Sequence, residues 1–232
     1  MNRGEFLAAS GVLAASGPAT RGVPGGEHFV ARRADFNATA FAARLGRPAQ
    51  IRQVYETVAF RPGILNNLKN AFNGLQFGFG YAADAIVVAL AGHGPSAAYG
   101  YRDEIWRNYR IGEFFKIADA SGAPIASNVF LPARAPMDAR ANPDDDAGMY
   151  QDGSIQMLQH RGLVVMTCHT AVEEQARALC KGGFAPASMT PSEVADDILT
   201  HLIPGAVVVP SMVAAIAVLQ QRYGYAYLAP TL

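Results

Sequence analysis

Two apolar runs dominate the hydropathy pattern of the chain. "DAIVVALAGHG" (Asp84–Gly94) and "LVVMTC" (Leu163–Cys168) are each short, continuous and bounded by turn residues, the pattern of strands buried on both faces of a parallel sheet. Between and around them the period changes. "GILNNLKNAFNGLQFGFG" from Gly63 sets Ile64, Leu68, Ala71, Phe72 and Leu75 at helical spacing, and the glycines at 74, 78 and 80 are expected to end that helix. "QIRQVYETV" (Gln50–Val58) carries Ile51, Val54 and Val58 and is expected to be the first strand. "SIQMLQHRG" predicts a short helix ending at Gly162, and Thr170–Lys181 a longer one stopped by Gly182 and Gly183. Thr190-Pro191-Ser192-Glu193 has capping-box spacing with proline at the first helical position, opening a helix to about Leu202. "AVVVP" (Ala206–Pro210), "SMVAAIAVLQQRYG" and "YAYL" then predict strand, helix and strand.

This alternation predicts an α/β fold: a mostly parallel, doubly wound sheet flanked by helices. Two segments break the pattern. "SAAYGYRDEIWRNYRIGEFFKI", with Ser96 as its cap, is aromatic and amphipathic and is expected to form one helix with a break and a short continuation. Residues 119–150, rich in Pro, Asp, Asn and Ala, have the composition of an exposed loop insertion. Residues 21–48 show no clean period and are expected to be a linker with a docking segment, leaving 49–232 as one α/β domain.

Composition narrows the function classes. Half of the 232 residues are hydrophobic and 16% are charged, which suits a buried core. The 19 basic and 19 acidic side chains balance, with no basic run, so neither nucleic acid nor an anionic membrane surface is expected as a partner. No apolar stretch is long enough for a transmembrane segment. Residues 1–20, "MNRGEFLAASGVLAASGPAT", have the order of an export signal: Arg3, a small-residue apolar segment, then Gly17-Pro18-Ala19. They look like a twin-arginine signal in which Gly4 stands at the second arginine. A periplasmic or otherwise exported protein is therefore expected, or a cytoplasmic one if that signal is degenerate.

The two cysteines, Cys168 and Cys180, bracket one predicted helix. At about 1.5 Å rise per residue they lie more than about 15 Å apart, beyond the Cα separation of about 7 Å that a disulfide allows. Cys180 reads as a small apolar residue near a helix end. Cys168 is placed differently, at the carboxyl end of a strand and the start of a helix, where unpaired N–H groups favour thiolate. His93 likewise follows a strand, between Gly92 and Gly94. Ligands of open α/β sheets bind at such strand ends. The candidate site is thus Cys168 and His93, with Gly92, Gly94, Pro95, His169 and Thr170 around a ligand. His160, His201 and the aromatics Tyr99, Trp106 and Tyr109 read as surface, cap or packing residues.

Three ordered segments carry a family resemblance. "VVALAGHGPSA", "LQHRGLVVMTCHTAVEEQA" and the closing Leu202–Leu228, "LIPGAVVVPSMVAAIAVLQQRYGYAYL", resemble the DsrE/DsrF-like family (YchN-like fold) of sulfur-related proteins, in its exported branch. The resemblance covers about Gln50 to the end. It implies a homo-oligomer, trimer or hexamer, and a cysteine able to carry sulfur as a persulfide, by position Cys168. It also implies a sulfur donor or acceptor protein as partner. No cofactor and no bound metal are expected. Two other classes stay open: a non-catalytic, oligomeric small-ligand-binding module of the cell envelope, and a metal-binding protein using Cys168 with His93 or His169. No P-loop or dinucleotide fingerprint is present.

Overall fold

The computed structural model describes residues 30–230. The export-signal pattern of residues 1–20, with residues 21–29, lies outside the described residues. Five strands form one sheet: β1 (Ile51–Thr57), β2 (Ile86–Gly92), β3 (Leu163–Cys168), β4 (Val207–Val209) and β5 (Ala226–Leu228). Their order is β4-β3-β2-β1-β5, and every neighbouring pair is parallel. Among the described residues there are eight α-helices: α1 (Ala38–Leu45), α2 (Gly63–Asn73), α3 (Asp103–Asn108), α4 (Ile111–Phe114), α5 (Ile155–His160), α6 (His169–Lys181), α7 (Pro191–Thr200) and α8 (Met212–Tyr223).

Side-chain alternation explains why β2 and β3 are apolar but for Thr167. Val87, Ala89 and Ala91 of β2, with Val164, Met166 and Cys168 of β3, pack under α1 and α8. Ile86, Val88 and Leu90, with Leu163 and Val165, pack under α2 and α5 on the other face. A strand covered on both faces has no polar positions to spare. The chain steps β1, β2, β3, β4 in one direction and then returns past three strands to β5. Right-handed crossovers put the helix of the return step on the opposite face from α2 and α5, which is where α8 lies.

The aromatic segment departs from expectation. It is a 3-10 turn (Gly94–Gly100) followed by the short α3 and α4, not one helix. Tyr99, Tyr101 and Trp106 are all fully buried. Burying about 150–250 Å² of aromatic surface at about 25 cal/mol per Å² contributes roughly 4–6 kcal/mol each, against about 1 kcal/mol net for a backbone hydrogen bond. Packing therefore overrides helical continuity. Gly100 permits the close approach: a Cβ there would stand 2.7 Å from Thr167 Oγ1.

Other boundaries shift modestly. Gly74 does not stop α2, which widens into a π turn over Gly74–Gly78, and the left-handed Gly80 (φ 75°) follows. The Thr190–Glu193 capping box forms, and α7 ends at Thr200. Asn37 caps α1 by accepting from Ala40 N, in a segment where the pattern predicted no regular element, and Phe41 and Leu45 are buried against the sheet. Residues 119–150 are irregular, as their composition predicts, apart from an isolated bridge between Ala118 and Pro124. Among the described residues no helix is long and apolar enough to cross a membrane.

Candidate functional site

The carboxyl edge of the sheet gathers the polar chemistry of the molecule. β2 and β3 pair up to Gly92 and Thr167, so His93 and Cys168 each stand one residue beyond the same pair on adjacent strands. Cys168 belongs to the α8-covered face, and the alternation of β2 points His93 the same way. Glu56, two residues after the buried Val54 on β1, completes the row. Its Oε1 lies 2.8 Å from His93 Nε2, and its Oε2 accepts the hydroxyl of Tyr227 from β5. That hydrogen bond pushes the Tyr227 hydroxyl pKa above its ordinary value. A small hollow of about 180 Å³, lined by Glu56, Tyr227, Val213, Ile216 and Gln220, opens beside the cluster.

Cys168 sits where the connections change direction: β3 leads to α6 on one face, whereas its neighbour β4 leads to α8 on the other. The strand ends at such a switch point form a natural crevice.

Cys168 holds the unusual position. It is the N-cap of α6, its Sγ accepting from Ala171 N at 3.4 Å. A second N–H, from Met212 at the start of α8, reaches the same sulfur at 3.3 Å. Two helix N-termini thus converge on one sulfur atom, and both donate to it. Thr170 holds them together, its Oγ1 donating to Pro210 O at 2.9 Å, which ties the β4–α8 turn to the start of α6. Cys168 is 5% exposed, so only a small reactant reaches it without local movement. The nearby Tyr101 hydroxyl is held protonated, first by burial and second by the negative charge that Cys168 would carry. It donates to Gln175 Oε1 at 2.6 Å.

The His93 loop is built to be rigid. Ser96, expected as a helix cap, is instead buried in the 3-10 turn, where its hydroxyl bonds the Thr57 carbonyl and lies 2.8 Å from the His93 carbonyl. Gln175 Nε2 donates to Gly94 O at 2.6 Å. A Cβ on Gly92 would meet Ser96 O at 2.7 Å, and Gly94 takes φ 59°. The glycines that flank His93 therefore serve the turn itself, fixing the imidazole against Glu56.

Of the residues singled out from sequence, Cys168, His93, Gly92, Gly94 and Thr170 fall together at this edge. Pro95 lines a cleft on the other face, and His169 is the half-buried first residue of α6. Cys168 and Cys180 are both free thiols. Cys180, half-buried, has its thiol pKa pushed up by burial. Among the described residues no group of three His, Cys, Asp or Glu side chains is arranged to hold a metal ion. Glu56 and Tyr227 escaped sequence reading, because only the parallel register sets them beside His93. The available signal was a carboxylate near the carboxyl end of a predicted strand.

Comparison with protein-family models, with curated proteins and with solved structures finds no match to this chain.

Proposed function

We propose that the chain is a sulfur-handling protein of DsrE/DsrF-like type in which Cys168 carries a sulfur atom as a persulfide. The observation that carries this reading is the pair of backbone donors on Sγ, Ala171 N and Met212 N. Two N–H groups at helix starts stabilise negative charge on sulfur. His93 supplies a proton acceptor one strand away, and Glu56 on Nε2 leaves Nδ1 for proton exchange.

The step balances without an added oxidant or reductant. His93 takes the Cys168 thiol proton, and the thiolate attacks the terminal sulfur of a donor R–S–SH. The donor S–S bond breaks as the Cys168 S–S bond forms, and the departing R–S⁻ recovers the proton from His93. In this reading the chain works outside the cytoplasm, on the strength of the pattern from Arg3 to Ala19, and self-associates through α8. That helix leaves Val213 64% and Val218 43% exposed on its outer side.

Intact-mass measurement after exposure to inorganic polysulfide, in a Cys180→Ala background, tests the reading. One added sulfur on Cys168 is expected, absent in Cys168→Ser and formed about 100-fold more slowly in His93→Ala. A Cys168 thiol that a small alkylating agent modifies but that gains no sulfur would overturn the proposal.

A further inference from the structure

A second concavity lies on the opposite face of the sheet from Cys168. It is a cleft of about 460 Å³ at the carboxyl ends of β1 and β2, within the size range of small-molecule sites. Phe60, Pro95, Phe115, Ile117 and Phe130 give it apolar walls, and Lys116 stands among them. The walls are stiff. Phe60 stacks on the buried Tyr99 at 4.2 Å between centroids and meets Phe130 edge-on at 5.2 Å and Trp106 at 5.9 Å.

Lys116 is the informative residue. It occupies the left-handed region, φ 57°, just after α4, a position that glycine fills without strain. Arg110 is the other non-glycine residue with positive φ among the described residues, and its side chain is anchored. It donates to Gly183 O at 2.7 Å, pairs with Glu113 and covers the Phe184 ring. Lys116 has no such anchor: it is exposed and takes part in no ion pair among the described residues. A strained backbone that sets an uncompensated cation at the mouth of an aromatic cleft points to a ligand with an apolar body and an anionic end.

We infer that this cleft binds a small monocarboxylate with an aromatic or short hydrocarbon body, its carboxylate on Lys116 and its body against Phe60, Phe115 and Phe130. This site is independent of Cys168 and of sulfur transfer. The chain holds a single tryptophan, and Trp106 touches the Phe60 wall, so its emission reports occupancy.

Titration with 3-phenylpropanoate, followed by calorimetry and by Trp106 emission, tests the inference. Saturable binding is expected, with 3-phenylpropan-1-ol bound about tenfold more weakly. Lys116→Met is expected to remove that preference. Lys116→Gly is expected to lose the carboxylate equally while raising the thermal midpoint, because glycine relieves the left-handed backbone. The second variant separates lost recognition from lost folding. Absence of saturable binding at millimolar ligand, equal affinity for acid and alcohol, or unchanged affinity in both variants would overturn the assignment.

Discussion

Cys168 caps α6 with sulfur where an oxygen is the usual acceptor, and at the same time accepts from the start of α8. The residue is thus structural and, in the proposed function, also the sulfur carrier, and substitution separates the two roles. Cys168→Ser keeps an acceptor for both N–H groups. Cys168→Ala leaves both without one and is expected to be less stable than Cys168→Ser by about 1–2 kcal/mol, typical of a lost N-cap. Urea denaturation of the two variants measures this. Equal stabilities would mean that the donors contribute nothing to the fold. The strand-end placement of Cys168 and His93 was legible from apolar run lengths. The partnership of His93 with Glu56 was not, because 37 residues separate them and only pairing of β1 with β2 brings them together.

At the scale of elements, the inserted segment is held by a few buried polar groups. Asn128, fully buried, donates from Nδ2 to the carbonyls of Tyr99 and Tyr101. Asp152 accepts from the backbone N–H groups of Arg134, Ala135 and Ser154 at 2.6, 3.1 and 2.8 Å. Burial works to raise the Asp152 carboxyl, but these donors outweigh it and hold the pKa below the ordinary value. A carboxyl depressed in the folded state contributes its full stabilisation above the unfolded pKa, about 3.9, and loses it as pH falls through the lower folded value. Segment 119–150 should therefore stay closed to a protease active in acid until the pH drops below about 4. Asp152→Asn should open it at neutral pH, with a loss of about 1.5–3 kcal/mol. Proteolytic cleavage in this segment reads both effects, and wild-type behaviour of the variant at neutral pH would contradict the role given to Asp152. Composition marked this segment as a loop. Its hydrogen bonds could not be seen that way, since most of the partners lie 17 to 29 residues apart in the chain.

At the scale of the whole molecule, the return crossover decides the surface. α8 is apolar nearly all round because one side covers the sheet, through Met212, Ala215, Ile216 and Leu219, while the other carries Val213 and Val218 into solvent. A helix apolar on both sides in a chain of this size suits burial against a second copy. Light scattering behind size exclusion should show an assembly larger than a monomer, and Val213→Glu should shift it to monomer. A wild-type monomer at micromolar concentration would remove the self-association reading.

The sequence by itself determined the strand-helix alternation, the parallel sheet, the capping box at Thr190 and the separation of the two cysteines. These rest on local periodicity, on chain stiffness and on the cost of exposing apolar runs, all of which act within one element. Only the tertiary structure decided that α1 docks on the sheet, that the aromatic segment breaks into a 3-10 turn and two short helices, and that Glu56 and Tyr227 join His93. It also decided that two helix starts meet at the Cys168 sulfur. Those outcomes depend on contacts between residues far apart in the chain, where burial of large side chains and the register of neighbouring strands outweigh local preference.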